Sequence, residues 1–189
     1  MTFDDLRKKY GNDLRVVTKH LVVHPRNAMA GALANCAAGR QGKHHEMDKL
    51  IWDKGFLARQ LDMSDVTPAE GGGQPQKCWE TADGCKFVVS YAQELQLDVN
   101  KFKADMKECV PIVAKDQQDL QKLMVSATPS FFINGRFISG AVPIENFMTV
   151  IDEELKKANE KIAQGTPAGA YYQTWVVEKG LKTVEMPKQ

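Results

Sequence analysis

Val125-Ser126-Ala127-Thr128-Pro129-Ser130-Phe131-Phe132-Ile133-Asn134-Gly135-Arg136-Phe137-Ile138-Ser139-Gly140 is the stretch from which the rest of the chain is read. Residues 130–133 are aromatic and β-branched, which favours a strand. Asn134-Gly135 supplies the two positions of positive φ that a type I′ turn requires. Residues 136–139 then read as the returning strand, ended by Gly140. Thr128-Pro129 stands at the head of the first strand, where a proline costs no ladder hydrogen bond. An ordinary surface hairpin would explain the Asn-Gly pair alone. The apolar side chains of Phe131, Phe132, Ile133 and Ile138 call for burial on both faces.

Composition limits what surrounds this hairpin. The chain has 189 residues, 43% hydrophobic and 26% charged, which suits one generous domain or a small fold carrying an inserted subdomain. A formal net charge of +1 gives no reason to invoke nucleic acid or an acidic partner surface. No apolar run approaches the length of a membrane span, and Met1 is followed by Thr2-Phe3-Asp4-Asp5 and not by a basic-then-apolar leader. A mature secreted domain would look the same, so the compartment stays open.

Cys36, Cys78, Cys85 and Cys109 are the four cysteines. Their spacing lacks any Cys-x2-Cys or His-x3-His pair, so no metal ligand set is expected, and no cofactor either. Two disulfides with three possible connectivities, or buried free thiols, both fit the sequence.

Around the hairpin the chain reads in order as follows. Phe3, Leu6 and Tyr10 recur at helical spacing over residues 2–10, with Gly11-Asn12 as a stop. The β-branched run of residues 15–23 has the length of a buried strand, closed by Pro25. Residues 27–38 are Ala-rich and helical, with Gly39 as C-cap, and a second helix is expected over residues 43–52. Adjacent His44 and His45 point to different faces, which suits surface histidines better than ligands. Residues 64–77 are loop by composition, and Gly71-Gly72-Gly73 lacks the Gly-Lys-Ser/Thr that a phosphate cradle would need. Helices follow from Phe87 and from Asp98, with Pro111 opening a further one. Pro143 opens the helix of Ile144, Phe147, Val150, Ile151 and Leu155. Residues 171–182 are expected to dock as a helix or a strand.

The order strand, helical block, hairpin, helix is a split α/β arrangement. At this point the residues carry a resemblance. Ala127-Thr128-Pro129-Ser130-Phe131-Phe132-Ile133-Asn134-Gly135-Arg136, Ser139-Gly140 and the helix over residues 147–155 resemble the second half of a DsbA-type thioredoxin-fold protein. Lys9-Tyr10-Gly11-Asn12, His24-Pro25-Arg26-Asn27-Ala28 and Cys36-Ala37-Ala38-Gly39-Arg40-Gln41-Gly42-Lys43 resemble the same family, in order, across residues 3–160.

The resemblance implies an α/β thioredoxin-like fold with an inserted helical subdomain. Residues 1–24 and 125–160 would form the thioredoxin-like portion, 25–124 the insertion and 161–189 a C-terminal extension. It implies thiol–disulfide interchange with substrate proteins through a Cys-x-x-Cys at a helix N-terminus, where the helix dipole lowers the thiol pKa. It implies that Thr128 and Pro129 form a substrate-binding site, with Pro129 cis and the backbone of Thr128 turned towards an extended substrate. It implies a periplasmic or otherwise extracytoplasmic setting and a redox partner protein. A structural disulfide between Cys36 and Cys109 is also implied, with Cys78 and Cys85 as the companion pair.

The sequence departs from the family in one respect: no Cys-x-x-Cys occurs in these 189 residues. Nor is there a sequence match for the first strand, which is central in the family's sheet, or for most of the first, active-site helix, so no catalytic residue is assigned. Three expectations follow. The chain is a piece of a longer redox enzyme, a cysteine-less relative that only binds extended peptide or serves as a scaffold, or a protein that fills the gap with a swapped segment, as in a strand-swapped homodimer. As given, the chain is expected to be inactive in disulfide exchange.

Overall fold

A computed structural model describes residues 2–24, 28–58, 66–67 and 75–180. The chain divides into two units, Met1–Thr18 with Leu120–Gln189, and Lys19–Asp119. The described residues 161–180 thus belong with the hairpin, and residues 19–24 with the helical unit.

In the first unit, α1 (Thr2–Tyr10) has Asp4 and Asp5 in its first turn and Arg7, Lys8 and Lys9 in its last, the arrangement the helix dipole favours. It ends at Gly11, whose φ of +53° a side-chain-bearing residue adopts reluctantly. Strands β3 (Ser130–Ile133) and β4 (Arg136–Ser139) pair antiparallel, Phe131 with Ile138 and Phe132 with Phe137. Asn134 and Gly135 both have positive φ, as the two-residue turn demands. Helix α6 (Ile144–Ala163) starts after Pro143. Leu6, Tyr10, Phe147 and Ile151 form the core, with Phe131, Ile133 and Ile138 packed on it. A π-helical turn, Tyr172–Glu178, follows α6. Its Trp175 donates from Nε1 to Thr166 Oγ1 at 3.2 Å, and the ammonium groups of Lys161 and Lys179 lie 4.4 and 4.0 Å from its ring. Residues 181 and 182, the end of the expected tail element, lie outside the described residues.

The second unit is built of α2 (Met29–Gly39), α3 (His44–Leu50), α4 (Lys86–Glu94) and most of α5 (Val99–Lys122). Its core contains Leu33, Met47, Val88, Phe102, Met106 and Val113, each fully buried or nearly so. A two-residue pairing joins β1 (Val66–Thr67) to β2 (Gln76–Lys77) inside the stretch expected to be loop throughout. The triple glycine lies outside the described residues, as do Pro25 and the first residue of the expected α2.

Four expectations need correction. Residues 15–23 form no strand: the four described strands pair only as β1 with β2 and β3 with β4, so this run has no ladder to join. Nor is the run buried throughout: Val22 is buried while Val17 is 66% exposed. Pro111 does not separate two helices, because α5 runs through it. The proline is exposed, on the side of the helix away from the core, while Cys109 and Val113 on either side remain packed. Gly39 is the last residue of α2 and not a left-handed cap; the positive φ falls at Gly42. The helix expected to reach residue 52 passes after Leu50 into a π-helical segment, Ile51–Leu57.

Candidate functional site

The hairpin is placed by what lies on either side of it. After α5, Val125 is buried and its N–H donates to the carbonyl of Leu120 at 3.0 Å. Ala127, Thr128 and Pro129 then lie exposed at the head of β3. Ser130 Oγ closes that turn by donating to the Ala127 carbonyl at 2.7 Å, and Gly140 N–H donates to the Pro129 carbonyl at 2.9 Å. The Thr128–Pro129 peptide is cis, the geometry the resemblance implies.

Pairing parity fixes which backbone groups are free. In a two-residue hairpin Ile133 and Arg136 form a hydrogen-bonded pair, so Phe131 with Ile138 is also hydrogen-bonded and Phe132 with Phe137 is not. The N–H and C=O of Phe132 and Ser130 therefore point away from β4. No described strand takes them up, and β3 presents an open edge that begins beside Thr128.

The two faces differ as well. Phe131 packs edge-on against Phe147 at 4.9 Å and lies 5.6 Å from Phe3. Arg136 on the same face is bonded to Glu153 and lies 3.6 Å from Glu154. Glu154 is buried in α6 and accepts from Lys157 Nζ at 2.7 Å. The Glu153 hydrogen bond holds the Arg136 guanidinium above its ordinary pKa. On the other face Phe132 and Phe137 pair with each other at 5.1 Å and stand 37% and 50% exposed. Burial on both faces was expected. Only Phe131, Ile133 and Ile138 receive it, because no described element of this unit covers the second face.

The cysteines are elsewhere. Cys36 is joined to Cys109 and Cys78 to Cys85, all four in the helical unit, so none is free. The hairpin unit contains no cysteine at all. Cys78, Cys85 and Cys109 are buried, and Cys36 is partly buried. A disulfide so enclosed is shielded from an attacking thiolate. Among the described residues no three of His, Cys, Asp or Glu are grouped to hold a metal ion.

Sequence reasoning missed two polar clusters of the helical unit. Asp105, buried, accepts from Arg40 at 3.0 Å and from Lys101 at 2.8 Å. His20 and His44 bring their rings within 6.4 Å, so His44 is a partly buried residue while His45 is exposed. The Lys101/Asp105 spacing of four was the only available signal for the first cluster.

The family model described as thioredoxin matches residues 2–153, most of the chain. The chain belongs to the thioredoxin family. Among curated proteins it is similar to part of a Na+/H+ antiporter NhaA from Herminiimonas arsenicoxydans, 29% identical over 154 residues, which are 80% of this chain and 20% of that protein. It is 33% identical over 139 residues to NhaA 1 from Salinispora arenicola, covering 70% of this chain and 17% of that protein. NhaA 3 from Salinispora tropica is 31% identical over 137 residues, covering 70% of this chain and 17% of that protein. The chain thus spans about a fifth of the length of the curated relatives it matches. No solved structure matches. No described helix is long and apolar enough to cross a membrane.

Proposed function

We propose that this thioredoxin-family chain is a module that binds extended polypeptide along the open edge of β3, beside Thr128 and Pro129, and performs no thiol redox step with its own residues. The observation that carries this reading is an edge of β3 that no described strand pairs, in a unit without cysteine. A peptide lying there gains backbone hydrogen bonds from Phe132 and Ser130, and the exposed Phe132–Phe137 pair offers apolar surface to one face of its side chains. The DsbA-like run of motifs supports assigning the helical unit to an inserted subdomain of that kind. Two disulfides support an oxidising, extracytoplasmic setting. Because the curated relatives are named as Na+/H+ antiporters, the module is proposed to act as a domain allied to such a membrane protein, engaging extended segments near it.

A second reading has one specific support, the same DsbA-like motif series: the chain would be the substrate-binding part of a disulfide oxidoreductase whose redox pair lies outside these 189 residues. Titration of a fluorescent, carboxymethylated and therefore thiol-free polypeptide tests the first reading. Saturable binding is expected, weakened about tenfold by Phe132→Pro, which removes one outward N–H at an edge position that tolerates proline. Equal binding by both proteins would refute it.

A further inference from the structure

We propose that His20, set among Asp116, His44 and Asp48, is an acid-sensitive latch that holds residues 19–23 on the helical unit. No described strand pairs with the stretch, and side chains secure it. Asp116 of α5 grips it twice: Lys19 Nζ donates to Oδ1 at 2.7 Å, and the backbone N–H of His20 donates to Oδ2 at 3.1 Å. Two residues on, Val22 is buried in the core, and His20 itself is partly buried.

The imidazole of His20 lies among titratable groups of two helices, α3 and α5. From α3 come His44, its ring 6.4 Å away, and Asp48 one turn further on. Asp48 in turn accepts at 2.9 Å from Nδ2 of Asn35 on α2, which is 8% exposed and whose own Oδ1 has no hydrogen-bond partner among the described residues. From α5 comes Asp116. Burial opposes the imidazolium, Asp116 and Asp48 favour it, and His44 opposes it. Burial wins, and the pKa of His20 falls below the ordinary 6.5.

The detached segment therefore takes up a proton more readily than the docked one. Docking is at full strength above the ordinary histidine pKa and weakens as pH falls below about 6.5 towards the lower, docked value. Acid thus loosens residues 19–23 before it unfolds the helices around them.

Amide exchange of Leu21, Val22 and Val23, corrected for intrinsic rates, tests this between pH 7 and pH 5 on the full chain. Their protection is expected to fall about tenfold for each unit of difference between the detached and docked pKa values, with α4 amides unaffected. His20→Gln, which keeps a polar side chain but cannot titrate, is expected to flatten that dependence. Should that variant fold poorly, an imidazole NMR titration of the wild-type chain decides alone. A His20 midpoint below 6.5 supports the latch. A midpoint at or above 6.5, or an unchanged pH dependence in the variant, overturns it.

Discussion

Tyr10 Oη donates a hydrogen bond to Asp152 Oδ1 at 2.7 Å across 142 residues of sequence, tying α1 to α6 beneath the hairpin. Burial, then the hydrogen bond to Asp152, raises the Tyr10 pKa, so the phenol remains a donor at neutral pH. Tyr10→Phe removes this bond and keeps the ring packed on Leu6. A loss of about 1 kcal/mol is expected, read as a lower urea midpoint with unchanged m.

The two disulfides should contribute unequally. Cys36–Cys109 closes a sequence separation of 73, and Cys78–Cys85 a separation of 7. Loop-closure entropy assigns about 4 kcal/mol to the long bridge and about 2.5 to the short one. Replacing both cysteines of each pair by alanine and comparing urea midpoints checks this order. Thiol titration of the denatured, unreduced protein should find none free, and four after reduction.

Asp105 sets an acid limit on stability. Burial alone would raise its pKa, but hydrogen bonds from Lys101 and Arg40 outweigh burial and hold the carboxyl below its ordinary 3.8. The ionised form is therefore favoured in the folded state. Its contribution is fully present above pH 4 or so and is lost as pH falls through the lower, folded value. Asp105→Asn should lower stability at pH 7 and make the acid unfolding curve shallower below pH 4.

Gly135 adopts φ +94°, and a Cβ added there would meet nothing within 4 Å. The cost of Gly135→Ala is thus conformational, about 1 kcal/mol, and should appear as faster amide exchange along β3 and β4 with the α2–α4 amides unchanged.

Much of this was legible in sequence where the cause is local. Asn134-Gly135 dictates its turn, the Phe3/Leu6/Tyr10 spacing gives α1, and Pro143 starts α6. The errors arise where the cause is a partner distant in sequence. Residues 15–23 have the composition of a strand, but a strand exists only against another, and none is described beside them. Pro111 carries a helix-breaking signal, which packing of Cys109 and Val113 overrides. The exposure of Phe132 and Phe137 was illegible for the same reason: a strand pattern says which side chains share a face, not what covers it. Of the candidate site, Thr128 and Pro129 were readable from the motif, whereas the open edge beyond them needed the ladder parity.

The most direct test of the proposed peptide-binding role is an amide NMR titration of the isotopically labelled chain with the thiol-free polypeptide. Saturable shifts centred on Thr128, Ser130 and Phe132, while the amides of Ile133 and Arg136 in the ladder move little, are the expected result. An absence of shifts along β3, or shifts confined to the helical unit, would contradict the account.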